Sequence, residues 1–174
     1  MKKRCVLLLT VGVVVGVLFM SFFSDHINVI SSDELVAQAE KECKKITVEE
    51  LAQLMTGEEV YTLIDVRQEL EHYYGYIPGS VILPRGSLEF NIGSEEFWET
   101  EGLYMPLKDE TIVVYCKKGN RGILAAHTLK HMGYTKIFYL EYGFKKWELT
   151  FPDQVEKNLN ALGGGHAEES TGGC

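Results

Sequence analysis

Cys116 closes the apolar run Thr111-Ile112-Val113-Val114-Tyr115 and is followed at once by Lys117, Lys118, Gly119, Asn120, Arg121 and Gly122. A thiol at the carboxyl end of a buried β-branched strand, before a tight glycine-containing turn and a helix start, stands where open α/β sheets place their ligand sites. The amides of residues 117–122 are expected to curl into a nest facing the sulfur, with the positive end of the helix that begins near Arg121 behind them. Lys117, Lys118 and Arg121 add full charges, so the sulfur is expected to react as thiolate, the nucleophilic form. A free cysteine can also end a strand simply as a small buried hydrophobe. The cationic loop, set in an acidic chain, favours chemistry.

The elements that must hold this loop are legible from hydrophobic period and caps. Thr47 and Glu50 form a capping box opening an amphipathic helix through Met55, ended by Gly57. Val60 to Val66 predicts a buried strand, Arg67 to Tyr74 one or two helical turns, and Val81 to Leu83 a short strand stopped by Pro84. Ser94 to Glu99 predicts a surface helix, Thr111 to Tyr115 the strongest strand, and Arg121 to Met132 a helix closed by Gly133. Lys136 to Leu140 is another strand, and helices follow around Phe144 to Leu149 and from Gln154 to Leu162. Strands alternating with helices imply right-handed crossovers and a mostly parallel sheet. At 174 residues the chain has room for one such α/β domain with attachments at both ends.

The N-terminus reads separately. Lys2, Lys3 and Arg4 form a basic start, and Cys5 to Phe23 runs nineteen residues without a charge, enough helix to cross roughly 28 Å. With apolar residues all round and no polar face, residues 5–23 predict a membrane anchor or export signal, residues 1–24 in all. No small-x-small cleavage site follows Phe22-Phe23, which favours a retained anchor. Positive-inside orientation then places the rest of the chain across the membrane, on the periplasmic face of a bacterial inner membrane, or free in the periplasm if cleaved. Residues 25–45 read as a polar spacer, and Gly163 to Cys174 as a glycine-rich flexible tail. Beyond Ser24 the chain holds 14 Lys and Arg against 25 Asp and Glu, a net charge of −11, which argues against nucleic acid as a partner.

Taken in order, Leu63-Ile64-Asp65-Val66-Arg67, Gly75-Tyr76-Ile77-Pro78-Gly79-Ser80, Pro84-Arg85-Gly86, the Cys116 loop and Gly143 to Trp147 resemble the rhodanese family of sulfurtransferases. The resemblance spans Ile46 to Leu149 and implies a rhodanese-like domain at 46–151, with a C-terminal extension at 152–174. It implies a three-layer α/β/α fold in which Cys116 carries a persulfide. Lys117, Lys118, Gly119, Asn120, Arg121 and Gly122 then bind the substrate, with Asp65 and Arg67 as supporting residues, read first as an ion pair holding their loop. The implied partners are a small anionic sulfur donor such as thiosulfate and a thiol or cyanide acceptor, and the reaction needs no metal and no cofactor. Tyr76 stands where the family usually has His, and Tyr142 where a second Gly would precede Gly143.

Two rivals are weighed on the same residues. Cysteine phosphatases and arsenate reductases also use a cysteine loop at a helix N-terminus, but their arginine comes one position later, at the place of Gly122, so that it can grip phosphate with both nitrogens. A noncatalytic binding module of this fold would be expected to have lost Cys116. His127 and His131 lie i, i+4 on one predicted helix without a partner motif and read as helix surface. Phe144 and Trp147 read as core anchors.

Overall fold

The computed structural model describes residues 30–163. The uncharged stretch 5–23 and the tail 164–174 lie outside the described residues. Among the described residues no helix is long and apolar enough to cross a membrane.

The chain runs α1 (Ser32–Glu42), β1 (Lys44–Ile46), α2 (Val48–Thr56), β2 (Tyr61–Asp65), α3 (Glu69–Tyr73), β3 (Val81–Ile82), α4 (Leu88–Asn91), α5 (Glu95–Thr100), β4 (Thr111–Tyr115), α6 (Asn120–His131), β5 (Lys136–Leu140) and α7 (Gly143–Thr150). A single turn of 3-10 helix at Pro152–Gln154 and a short helix, α8 (Asn160–Gly163), complete it. The five strands form one all-parallel sheet in the order β1-β5-β4-β2-β3. This is the α/β fold expected, with helices on both faces.

Strand β4 is central and every residue of it is buried, which is why it reads as an unbroken apolar run rather than an alternating one. Its side chains still alternate between faces. Ile112, Val114 and Cys116 pack with Ala39 of α1, Leu88 of α4, Trp98 of α5 and Ile123, Ala126 and Leu129 of α6. Val113 and Tyr115 pack with Val48 and Leu51 of α2 and with Phe144 and Trp147 of α7. Phe144 and Trp147 are therefore core residues, and Trp147 satisfies its buried indole N–H on the carbonyl of Gln154 at 2.8 Å.

The crossover leaving β2 goes to β3 on one side of the sheet, and that leaving β4 goes to β5 on the other. Such a reversal opens a crevice beyond the carboxyl ends of β2 and β4. Asp65 ends β2 in register with Tyr115 of β4, and the Val66 amide bonds the Tyr115 carbonyl at 2.9 Å. The Asp65-Val66-Arg67 segment and the Cys116 loop therefore emerge side by side.

Two expectations are revised, and a third holds with one addition. The segment 25–45 carries α1, which packs on α6, and the first two residues of the edge strand β1, so its described part is built into the domain. The helix predicted over 154–162 is cut to its last turn: Gln154 closes the 3-10 turn, Glu156 pairs with Tyr76 as an isolated antiparallel bridge, with both backbone hydrogen bonds made, and α-helix forms only at Asn160–Gly163. Tertiary pairing there overrides the local helical pattern. The surface helix at 94–99 begins at Glu95 with Ser94 as its cap, and it buries Trp98, whose indole N–H bonds the Ile92 carbonyl at 3.0 Å.

Candidate active site

The thiol of Cys116 lies at the start of the four-residue turn, 116–119, that joins β4 to α6, and the residue is only 2% exposed. The amide of Gly119 donates to its sulfur at 3.3 Å. Gly119 adopts φ +107, a conformation that side chains disfavour, and this turns its N–H toward the sulfur while its carbonyl accepts from Ile123 in the first turn of α6. The sulfur thus faces the N-terminal end of a twelve-residue helix, whose field favours negative charge.

The loop is held from a second side by α7. The amides of Phe144 and Lys145 donate to the carbonyls of Cys116 and Lys117 at 2.8 and 3.0 Å. Tyr142, at φ +60, turns the chain into that contact, and its side chain is exposed.

Around the loop, Lys117, Lys118 and Asn120 are exposed, while Gly119 and Gly122 are buried. Gly122 packs against the backbone of Tyr115 and Cys116. Lys117 places its ammonium 5.9 Å from the centre of the Phe144 ring. Arg121 does not stand free: its two terminal nitrogens donate to both carboxylate oxygens of Glu71 at 2.7 and 2.8 Å. That fork holds the Glu71 carboxyl below the ordinary carboxylate range and raises the Arg121 guanidinium, to which the nearby Cys116 sulfur also contributes.

Asp65 and Arg67 are fully buried and paired. Arg67 Nε donates to both Asp65 oxygens at 2.9 and 3.0 Å, and Nη2 donates to Asp65 Oδ2 at 2.6 Å and to the Gly75 carbonyl at 2.8 Å. His72 Nδ1 lies 2.9 Å from the same Asp65 Oδ2, and its ring stacks on Tyr76 with centroids 4.1 Å apart. Burial pushes the Asp65 carboxyl up, but the hydrogen bonds from His72 and Arg67 outweigh it, and the carboxyl titrates below its ordinary range. Arg67 Nη1 is buried with no hydrogen-bond partner among the described residues. Its guanidinium instead rests on aromatic faces, 4.3 Å from the centre of Phe144 and 5.5 Å from that of Tyr115. Phe144 therefore touches both halves of the site.

Of the residues singled out by type and spacing, the structure sets Cys116 and Gly119 in one turn, backs it with Gly122 in the first turn of α6, and places Asp65 and Arg67 at the neighbouring strand end. Glu71 and His72, which complete the two charged clusters, carry no spacing signal. They are supplied by α3, through the fold.

The rhodanese-like domain family matches residues 47–150. A putative mitochondrial thiosulfate sulfurtransferase of Schizosaccharomyces pombe is 34% identical over 99 residues, covering 56% of this chain and 70% of that one. The thiosulfate sulfurtransferase GlpE of Pseudoalteromonas translucida is 25% identical over 114 residues, 66% of this chain and 97% of that one. Among solved structures, a human single-domain sulfurtransferase superposes with a TM-score of 0.56 at 26% identity, over 60% of this chain and 95% of that one. A Rhodopseudomonas palustris protein of unknown function, described as a possible tyrosine phosphatase, gives 0.58 at 28% identity, over 70% of this chain and 91% of that one.

Proposed function

This chain belongs to the rhodanese-like domain family, and on that premise we propose that it is a sulfurtransferase of the thiosulfate type, working through a persulfide on Cys116. The observation that carries the reading is the Cys116 sulfur facing the Gly119 amide at the N-terminal end of α6. The Cys116 thiolate attacks the outer sulfur of thiosulfate, the S–S bond to the sulfonate sulfur breaks, and sulfite leaves with the electron pair. The resulting persulfide keeps its negative charge on the terminal sulfur, where the loop amides and the helix end stabilise it. Cyanide or a thiolate then attacks that sulfur, giving thiocyanate or a new persulfide and returning the Cys116 thiolate. Lys117 and Lys118 draw the anionic donor to the loop, a local positive field on an acidic domain.

Incubation with thiosulfate should add one sulfur atom to the intact mass, removable by reductant. Cys116→Ser should take up none and should lose sulfur transfer with its fold intact. Undiminished turnover in that variant would sink the assignment.

A phosphatase reading is the one alternative favoured by a specific observation, the superposition on a possible tyrosine phosphatase. Against it, Arg121 comes one position early for a phosphate grip, and both of its outer nitrogens are taken by Glu71. Hydrolysis of an aryl phosphate through Cys116, in the absence of sulfur uptake, would reverse the choice.

The uncharged stretch 5–23 behind three cations supports an exported, membrane-held protein. A reporter fused after Cys174 should be active outside the cytoplasm, with full-length chain in the membrane fraction.

A further inference from the structure

Helix α6 carries the Cys116 loop at its N-terminal end and two histidines, His127 and His131, one turn apart near the other. Packing of α1 on α6 brings Glu42, the last residue of α1, to the same place. One donor atom from each of Glu42, His127 and His131 lies within 4.8 Å of the other two. Glu42 Oε1 is 3.8 Å from His127 Nε2, and the imidazole centroids are 4.3 Å apart with a tilt of 50°. We propose that these three side chains form a binding site for a divalent transition-metal ion of the zinc class, which pins α1 to the helix holding the nucleophile.

The donor set decides the class of ion. Two imidazoles and one carboxylate suit Zn²⁺ and its neighbours, whereas Mg²⁺ and Ca²⁺ require oxygen ligands throughout. Zinc ligands at about 2.0–2.1 Å in tetrahedral array stand roughly 3.3 Å from one another, so the Glu42–His127 pair needs to close by only about half an ångström. The side chains have that freedom: those of His127 and Glu42 are 33% and 50% exposed. Three protein ligands leave the fourth position to water.

Two neighbours prepare the site. His131 Nδ1 lies 2.8 Å from the His127 carbonyl, and an N–H donated there fixes the tautomer whose other nitrogen keeps its lone pair for a metal. Lys130 donates to the Glu42 main-chain carbonyl at 2.9 Å and lies 3.5 Å from Oε2, which leaves Oε1 facing His127. Cys43, next in sequence, sets its sulfur 3.9 Å from the Ile123 carbonyl and does not belong to the three-atom cluster.

Helix α1 lies outside the residues that the family shares, 47–150. A metal clamp would therefore be a feature of this chain rather than of the common fold, and it is independent of the sulfur chemistry proposed above.

The test uses untagged full-length protein carrying Cys116→Ser, so that the reactive thiol does not compete for Zn²⁺. Calorimetric titration with Zn²⁺ should give a site of one ion per chain, with a raised unfolding temperature and increased hydrogen-exchange protection across 32–42. His127→Ala and His131→Ala should each weaken Zn²⁺ binding tenfold or more and remove the protection, while leaving the metal-free circular dichroism unchanged. Glu42→Gln should weaken binding in the same direction, and Mg²⁺ should reproduce none of these effects. Failure of the parent to bind Zn²⁺, or unchanged binding and protection in the double histidine variant, would overturn the proposal.

Discussion

The backbone of Gly143 lies against the carbonyl of Cys116 so closely that a Cβ at this position would overlap the oxygen. The same Cβ would stand 2.9 Å from the Gly119 nitrogen and 3.0 Å from the Lys117 carbonyl carbon, at φ +61. The first turn of α7 is thus the base on which the Cys116 loop is moulded. Gly143→Ala should destabilise the protein by about 2–4 kcal/mol, from overpacking plus backbone strain, and should remove most sulfur transfer. Urea unfolding and a thiosulfate–cyanide assay measure the two effects. A variant matching the parent in both would show that the loop does not depend on this contact.

The residue before it presents the opposite case. Tyr142 holds φ +60 while its side chain is 65% exposed, so it bears the strain of a left-handed residue with little burial in return. Tyr142→Gly removes that strain at the cost of a freer unfolded chain. The balance should raise stability by about 0.5–1 kcal/mol, seen as a higher unfolding temperature with sulfur transfer retained. A fall in stability would mean that the exposed ring makes contacts worth more than the strain.

Arg121 and Glu71 neutralise one another beside the thiol, so the loop's net positive field depends on both. Glu71→Gln, which keeps the shape and removes the charge, should increase kcat/KM for thiosulfate and lessen it at high salt toward the parent's value. Arg121→Ala should lower kcat/KM roughly tenfold, about 1.4 kcal/mol of transition-state stabilisation. If the two variants move kcat/KM in the same direction, the pair acts by holding the loop, not through its charge.

What was legible in the sequence follows from how each element is stabilised. Strands β4 and β5 carry an apolar run because they bury most of their residues, and helices α2 and α6 carry a helical period because each buries one face, with the capping box at Thr47 and Glu50 marking the start of α2. Strand β1 has two exposed lysines and one inward residue, Ile46, and α1 buries Ala39 alone, so neither shows a pattern before its partners are in place. Cys116 and its turn were readable because strand, cysteine and glycine lie within a few residues of one another. The partner of Arg121 was not, since Glu71 lies fifty residues earlier and only the fold brings α3 to the loop. Glu42 meets His127 and His131 for the same reason.

Asp65 gives the last expectation, a pH dependence with a defined sign. Its carboxylate is fully buried, accepts from Arg67 and faces His72, and it titrates below its ordinary range when folded. The unfolded chain takes up this proton near the usual value of about 3.9, the folded chain only at lower pH. Stability from the pair is therefore present above about pH 4 and is lost as pH falls through the lower folded value. Asp65→Asn should cost about 3–5 kcal/mol at neutral pH, because Arg67 would stay buried with its charge unopposed and with Nη1 already lacking a hydrogen-bond partner among the described residues. The variant's stability should also vary less than the parent's between pH 5 and 3. Urea unfolding across that range, for parent and variant together, checks both effects. Parallel stability curves, offset by a constant, would show that some other carboxyl governs the acid limb.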